Sequence, residues 1–227
     1  MANEDIIAGV DSSVKELCKE FRSRPTLFYT DYDMTSLLYT YLLRNLPVST
    51  ARDRDGCEHL LVHMEYPTPF RCTMSGDQFA IKGDDERTPE GALYPRGHHA
   101  VVVLNPDFIK GYSYELIKAQ DYELYKKLVL PHLDRAKPAI LYGLSLMLHG
   151  DPFPLLKEKG GERGGVIDAF IAQVNKGADQ LAASKAIPGF MDRSRMLAFA
   201  KGGADEVRTF LLKTLSERVE VLLCFSY

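Results

Sequence analysis

The sequence lacks several features that would assign it at once to a class of proteins. It has no apolar run of the roughly 18 residues that cross a bilayer. Its first residues lack the basic start and apolar centre of a signal peptide, so we expect a cytoplasmic protein without membrane contact. Basic residues are not in excess: 28 Lys and Arg against 31 Asp and Glu give a net charge of −3. No global positive field therefore indicates nucleic acid, although a local patch can outweigh the net charge.

Cysteine is also scarce, and no cysteine pair has the C-x-x-C spacing of a metal site among the four present. We interpret Cys18 and Cys224, which fall in a helical and a strand pattern, as small buried hydrophobic residues. Neighbouring glycines occur, but none belongs to a G-x-x-x-x-G-K-[ST] phosphate-binding loop. These absences favour a reduced protein without a structural metal or a P-loop.

What is present is ordinary for a soluble globular protein, with 45% hydrophobic and 26% charged residues. A length of 227 residues can bury a substantial core, and one domain spanning residues 1–227 is the simplest organisation. Strand patterns alternate with helical ones along the chain. This alternation predicts an α/β fold in which a central mixed β-sheet is flanked by helices.

Apolar residues at helical spacing predict helices, and β-branched or alternating runs predict strands. The predicted helices cover residues 4–21, 33–45, 114–130, 166–183 and 205–215. The predicted strands cover residues 59–66, 100–104, 139–148, 195–200 and 218–227, with a further short strand within 70–81. Segments 51–58 and 82–95 are predicted loops. Pro67 and Pro69 are expected to end the first strand.

Four segments occur in an order that is informative about the fold. They are residues 28–33 (FYTDYD) opening a helix, then 63–68 (HMEYPT), 96–104 (RGHHAVVVL) and 142–147 (YGLSLM), each on a predicted strand. This order, followed by helix, strand, helix and strand, resembles the core of the PD-(D/E)xK nuclease superfamily. The resemblance covers most of the chain and implies a restriction-endonuclease-like fold.

The resemblance implies a site in which an aspartate on one strand and a Glu-x-Lys on the next hold one or two Mg²⁺ ions. The metal neutralises the phosphate, and the lysine helps to orient the attacking water. Here the aspartate position is Ala100, and either register of the next strand gives Gly143 and Ser145, or Ser145 and Met147. The hard oxygen ligands are thus missing, and the sequence predicts a degenerate metal site. In the helix that follows, Gly177 and Gln180 stand where charged residues are expected.

Five residues remain as candidates for a rebuilt site. Glu65 is either a pocket acid or a surface residue at a strand end, and Asp31 and Asp33 are either helix caps or ligands. His98 and His99 flank the missing aspartate, where imidazole can bind a metal or act as a base, although histidines in such a loop are often solvent-exposed. Strand alternation lets only one of the two enter the site. The candidate catalytic residues are Glu65 and His99, and the candidate metal ligands are Asp31, Asp33, Glu65 and His98.

Two groups of side chains bear on a nucleic-acid partner, and each has an alternative interpretation. The arginines either cluster near the site or face solvent; they are Arg52, Arg54, Arg71 and Arg96. The tyrosines either stack with bases or pack in the core; they are Tyr112, Tyr114, Tyr122 and Tyr125.

Two functional hypotheses follow from the sequence. The first is a non-catalytic module on a nuclease fold, which binds nucleic acid or a protein partner and needs no cofactor. The second is a phosphodiesterase or nuclease with a rebuilt site that depends on a divalent metal, Mg²⁺ or Mn²⁺. A plain structural or interaction protein is a third reading, which the net acidity favours.

Overall fold

The computed structural model describes residues 3–73, 79–111, 122–149, 163–201 and 219–226. Within these residues a mixed β-sheet is flanked by helices, so the predicted α/β class is confirmed. The described helices are α1 (Asn3–Ser23), α2 (Asp31–Asn45), α3 (Pro106–Gly111), α4 (Tyr122–Leu128) and α5 (Arg163–Ala186), with 3₁₀ turns at Pro25–Leu27 and Leu130–His132. No helix in these ranges is long and apolar enough for a membrane span.

The strands form a short hairpin and a six-stranded sheet. Their bounds are β1 (Thr50–Arg52), β2 (Glu58–Leu60), β3 (Val62–Cys72), β4 (Ile81–Lys82), β5 (Arg96–Leu104), β6 (Ile140–His149), β7 (Met191–Lys201) and β8 (Glu220–Ser226). The hairpin is β1-β2, and the large sheet has the order β4-β3-β5-β6-β7-β8. Strands β3, β5 and β6 are antiparallel neighbours, whereas β6, β7 and β8 run parallel. A parallel pair needs a crossover connection, and α5 lies in the one between β6 and β7.

A continuous apolar core joins the helices to the sheet. Helix α1 buries a stripe of residues at helical spacing and packs on α2, β6 and β8, while α5 packs on β6 and β7. Each fully buried leucine or phenylalanine contributes about 1.5–3 kcal/mol relative to an exposed one. Fully buried members of this core include Val10, Phe21, Leu38, Val102, Leu144, Val174, Leu181 and Phe199.

The prediction that prolines end the first strand is wrong, because β3 continues through Pro67 and Pro69 to Cys72. Among the described residues, β4 pairs with Arg71 and Cys72 and with no other residue of β3, so β3 has an open edge at the prolines there. Its register with β5 also shifts between Pro67 and Arg71. Edge strands and bulges tolerate proline, because no carbonyl group of a neighbouring strand needs the N–H that proline lacks.

The charged segment 51–58, predicted as a loop, contributes to the hairpin instead. The Asp53 side chain organises its turn: Oδ1 accepts the backbone N–H groups of Asp55 at 2.9 Å and Cys57 at 2.8 Å, and Oδ2 bonds His59 Nε2 at 2.8 Å. Burial acts to raise the pKa of Asp53, but these three hydrogen bonds outweigh it and lower that pKa. An aspartate whose side chain accepts hydrogen bonds from backbone groups two and four residues ahead stabilises a turn. The charged composition of the segment does not reveal this role.

Of the tyrosines singled out in the sequence, Tyr125 is the one whose side chain the structure describes. Tyr125 on α4 is buried, and its ring packs edge-on against Phe190 at 6.4 Å between centroids. It is therefore a packing residue. Residues 112–121 of the predicted helix, with two of these tyrosines, lie outside the described residues, as does the predicted helix at 205–215.

Candidate functional site

A cavity of about 280 Å³ lies where the sheet opens between β5 and β6, under α2 and α5. Cross-strand pairing of β5 with β6 runs from Leu104 to Val101, which faces Leu144. The next residues toward the cavity, Ala100 and Ser145, both line it. The cavity thus occupies the place where the sequence lacks the expected acids.

The cavity combines charged, polar and apolar side chains from six elements: α2, β3, β5, β6, α5 and β7. Two methionines, Met147 and Met196, supply part of its apolar surface. The charged, imidazole and amide groups that line it are Asp31, Glu65, His98, Gln173, Lys176 and Gln180. It therefore offers carboxylate acceptors, an ammonium donor and amide groups to one ligand.

The two aspartates at the start of α2 have different environments. Asp31 lines the cavity, and its Oδ1 accepts the Leu148 backbone N–H. Burial raises the pKa of Asp31, and the bond from Leu148 offsets part of that rise. Asp33 instead completes a capping box: its Oδ2 accepts the Tyr29 and Thr30 N–H groups, each at 2.8 Å. These bonds lower the pKa of Asp33, and the structure does not place it among the described residues around the cavity.

Glu65 lines the cavity from a left-handed backbone conformation, with φ of +52°. Among the described non-glycine residues it is the one with positive φ, and such a conformation costs about 1–2 kcal/mol for an L-residue. On the same strand, His63 Nε2 donates a hydrogen bond to Leu60 O at 2.9 Å.

We expect Glu65→Gly to be more stable than Glu65→Ala by about 1 kcal/mol in free energy of unfolding. Glycine adopts a left-handed conformation without the Cβ penalty, while alanine retains it, and both variants remove the carboxylate. Urea unfolding of the two variants measures the difference. Equal stability, or a more stable alanine variant, would show that position 65 is not left-handed in solution.

The two histidines of β5 go to different environments. His98 is exposed and lines the cavity, and its carbonyl oxygen accepts Gln180 Nε2 at 2.6 Å. His99 is fully buried, with Nε2 bonded to Ser184 Oγ at 2.9 Å. Burial, with a smaller contribution from the charge of His98, lowers the pKa of His99 to about 3. The structure brings His98 to the cavity, whereas His99 is outside its described lining.

Lys176 on α5 is a charged cavity residue that the sequence did not single out. The expected charge was sought at Gly177, but a Cβ there would lie 3.0 Å from Met196 Sδ and 3.6 Å from Ser145 Cβ. The small residue lets α5 approach the sheet, and the charge stands one position earlier. The sequence pattern that could have indicated Lys176 is a polar stripe on a mainly apolar helix. Gln173, Lys176 and Gln180 form this stripe at spacings of three and four residues.

The cavity does not present a ready set of ligands for the metal that the nuclease resemblance implies. Mg²⁺ and Mn²⁺ prefer several oxygen ligands in a defined geometry. Across the described ranges, no three His, Cys, Asp or Glu side chains come together in a group that could hold a metal ion. Asp31, Glu65 and His98 share the cavity without forming such a group. What these residues offer directly is hydrogen bonding and charge.

Comparisons of this chain with protein-family models, with curated proteins and with solved structures give no match.

Proposed function

We propose that this chain is a non-catalytic nucleic-acid-binding module on a restriction-endonuclease-like fold, and that the cavity is its binding site. The observation that carries the proposal is the combination of groups in one cavity. Lys176 can bind a phosphate, Asp31 and Glu65 can accept hydrogen bonds from base amino groups, and the Tyr32 ring can stack. A nucleotide presents all three complementary features. The volume of about 280 Å³ suits a single nucleotide better than a duplex.

The order of elements supports the nuclease-like part of the proposal. Helix α2, strands β3, β5 and β6, helix α5 and strand β7 follow the order that the sequence resemblance implies. These strands are also neighbours in the sheet, in that same order. The cavity lies among them, at the positions where a member of the superfamily would carry its acids.

The loss of acids supports binding without catalysis. The positions expected to carry hard ligands hold Ala100 and either Gly143 or Ser145. Since the described residues also lack a group of three ligands, metal-assisted cleavage has no evident basis in the cavity. A hydrogen-bonding site with one ammonium group needs no metal to hold a strand.

Binding is expected to depend on salt and on Lys176. Fluorescence anisotropy with a labelled oligonucleotide should give an affinity that falls as salt rises. Lys176→Gln should weaken binding several-fold for every sequence and make the plot of log K against log salt shallower by about one unit. The matched control is Lys137→Gln, an exposed lysine before the opposite end of β6, which should bind as the wild type does.

Two results would count against the proposal. One is the absence of any oligonucleotide binding at low salt. The other is binding that Lys137→Gln weakens as much as Lys176→Gln does, since that would place the strand outside the cavity.

A second candidate is a phosphodiesterase that depends on a divalent metal. It is favoured by Asp31, Glu65, His98 and Lys176 lining the same cavity, because carboxylate, imidazole and ammonium groups are those that such an enzyme would use. Calorimetric titration with Mg²⁺, Mn²⁺ and Zn²⁺ separates the candidates. Binding by the wild type that Glu65→Gln abolishes would replace the first candidate with the second.

A further inference from the structure

The two most exposed large hydrophobic side chains of the described residues stand three residues apart in the sequence, around the start of α2. The Tyr29 side chain is 85% exposed and that of Tyr32 is 69% exposed. Tyr32 lines the cavity, and Tyr29 stands just before the helix. Aromatic rings dominate the energetics of cores and interfaces because they bury large areas. Two exposed rings around the start of a helix that lines the cavity are therefore available to a ligand.

The backbone that carries these rings is fixed before any ligand arrives. Thr30 caps α2, and its Oγ1 accepts the Asp33 N–H at 3.3 Å while Asp33 binds the N–H groups of Tyr29 and Thr30. A preorganised surface loses less conformational entropy on binding than a mobile one. The capping box thus does more than begin the helix, because it also fixes the backbone from which the two rings project.

Positive charge accompanies the rings. Lys201 Nζ lies 5.9 Å from the centre of the Tyr29 ring and donates a hydrogen bond to Phe28 O. Lys176 lies in the cavity lining beyond Tyr32. Sites for single-stranded nucleic acid pair cations that follow the backbone with aromatic rings that stack the bases. The lysines and tyrosines here supply both parts.

We propose that Tyr29 and Tyr32 form a stacking platform that selects unpaired bases, so that the cavity receives a single-stranded end of DNA or RNA. This inference rests on the proposed function, since it names the form of nucleic acid that the cavity takes. Bases in a duplex are already stacked on each other, and freeing one costs a few kcal/mol of unstacking and unpairing. An unpaired base stacks on a protein ring without that cost.

The test compares the affinities of labelled oligo(dT), oligo(U) and a DNA duplex of the same length, about ten nucleotides. The wild type should bind at least one single strand more tightly than the duplex, and a preference between the two shows whether DNA or RNA is the natural strand. Tyr29→Ala and Tyr32→Ala should each weaken single-strand binding about tenfold. Tyr29→Phe and Tyr32→Phe should retain it, since stacking needs the ring and not the hydroxyl.

The control variant is Leu60→Ala, another exposed hydrophobic residue, on the separate hairpin. It should bind as the wild type does. All variants change exposed side chains, and circular dichroism melts check that each remains folded. Duplex binding as tight as single-strand binding, or alanine variants that bind normally, would overturn the platform. If Lys176→Gln still weakens binding in that case, the proposed nucleic-acid-binding function is supported without the platform. A wild type that binds no nucleic acid would overturn both the function and the platform.

Discussion

Gly189→Ala is expected to lower the free energy of unfolding by about 2–5 kcal/mol. Gly189 lies in the turn between α5 and β7 with φ of +77°, a conformation that costs alanine energy whatever its surroundings. The added Cβ would also lie 2.8 Å from two backbone atoms of Asp134 and 2.9 Å from its carbonyl oxygen. Backbone atoms cannot rotate away as a flexible side chain can, so either the turn at Gly189 or the segment around Asp134 must move.

The matched control is Gly91→Ala. Gly91 has φ of +86°, but a Cβ there would meet nothing within 4 Å. Its expected cost is the conformational penalty alone, about 1–2 kcal/mol. Denaturant unfolding of both variants separates strain from steric overlap, because only Gly189→Ala carries both. Equal losses in the two variants would show that the contact with Asp134 is not close in solution.

The position of Gly189 explains why this turn matters for the cavity. Gly189 O accepts the Ala139 N–H at 2.9 Å, and Phe190 O accepts the Ile140 N–H at 2.9 Å, where β6 and β7 begin. The same turn follows α5, which carries Lys176 and Gln180. Displacing it would therefore shift helix and strands together. We expect a folded Gly189→Ala variant to bind an oligonucleotide less well, although the residue does not line the cavity.

The sequence predicted elements well where the signal was local. Apolar periodicity located α1, α2 and α5 and the five principal strands, with ends that differ from the observed ones by a few residues. The extent of β3 could not be read in this way. Whether Pro67 and Pro69 end a strand depends on whether its other side has a partner, and that depends on how far β4 reaches.

The residues around the cavity were predictable in part, but from the resemblance and not from local signal. Asp31, Glu65 and His98 stood on elements that the resemblance brings together, and all three line one cavity. Alternation along a strand could not decide which of His98 and His99 faces the cavity. The direction of each side chain depends on the local twist of the strand and, for His99, on its partner Ser184. Lys176 was missed because the charge was expected at position 177. The close approach of α5 to the sheet requires glycine there, and the charged residue precedes it.

A carboxylate introduced at position 100 is expected to create a metal site. Ala100 lines the cavity with Asp31 and Glu65, and it occupies the position at which the nuclease resemblance implies an aspartate. Because affinity for Mg²⁺ or Mn²⁺ rises with the number of charged oxygen ligands, Ala100→Asp should bind Mn²⁺ about tenfold or more tightly than the wild type. Calorimetric titration measures the change, and Ala100→Asn is the control of equal size without the charge.

Stability gives a second measure of the same change. Without metal, a third carboxylate in the cavity should lower the melting temperature of Ala100→Asp, because like charges disfavour one another at close range. Mn²⁺ should then raise that temperature more than it does for Ala100→Asn, since a ligand that binds only the folded state stabilises it. If Ala100→Asp and Ala100→Asn respond alike in both measurements, the three positions do not converge as a nuclease-like fold requires. The proposal would then lose its structural basis, whatever the protein binds.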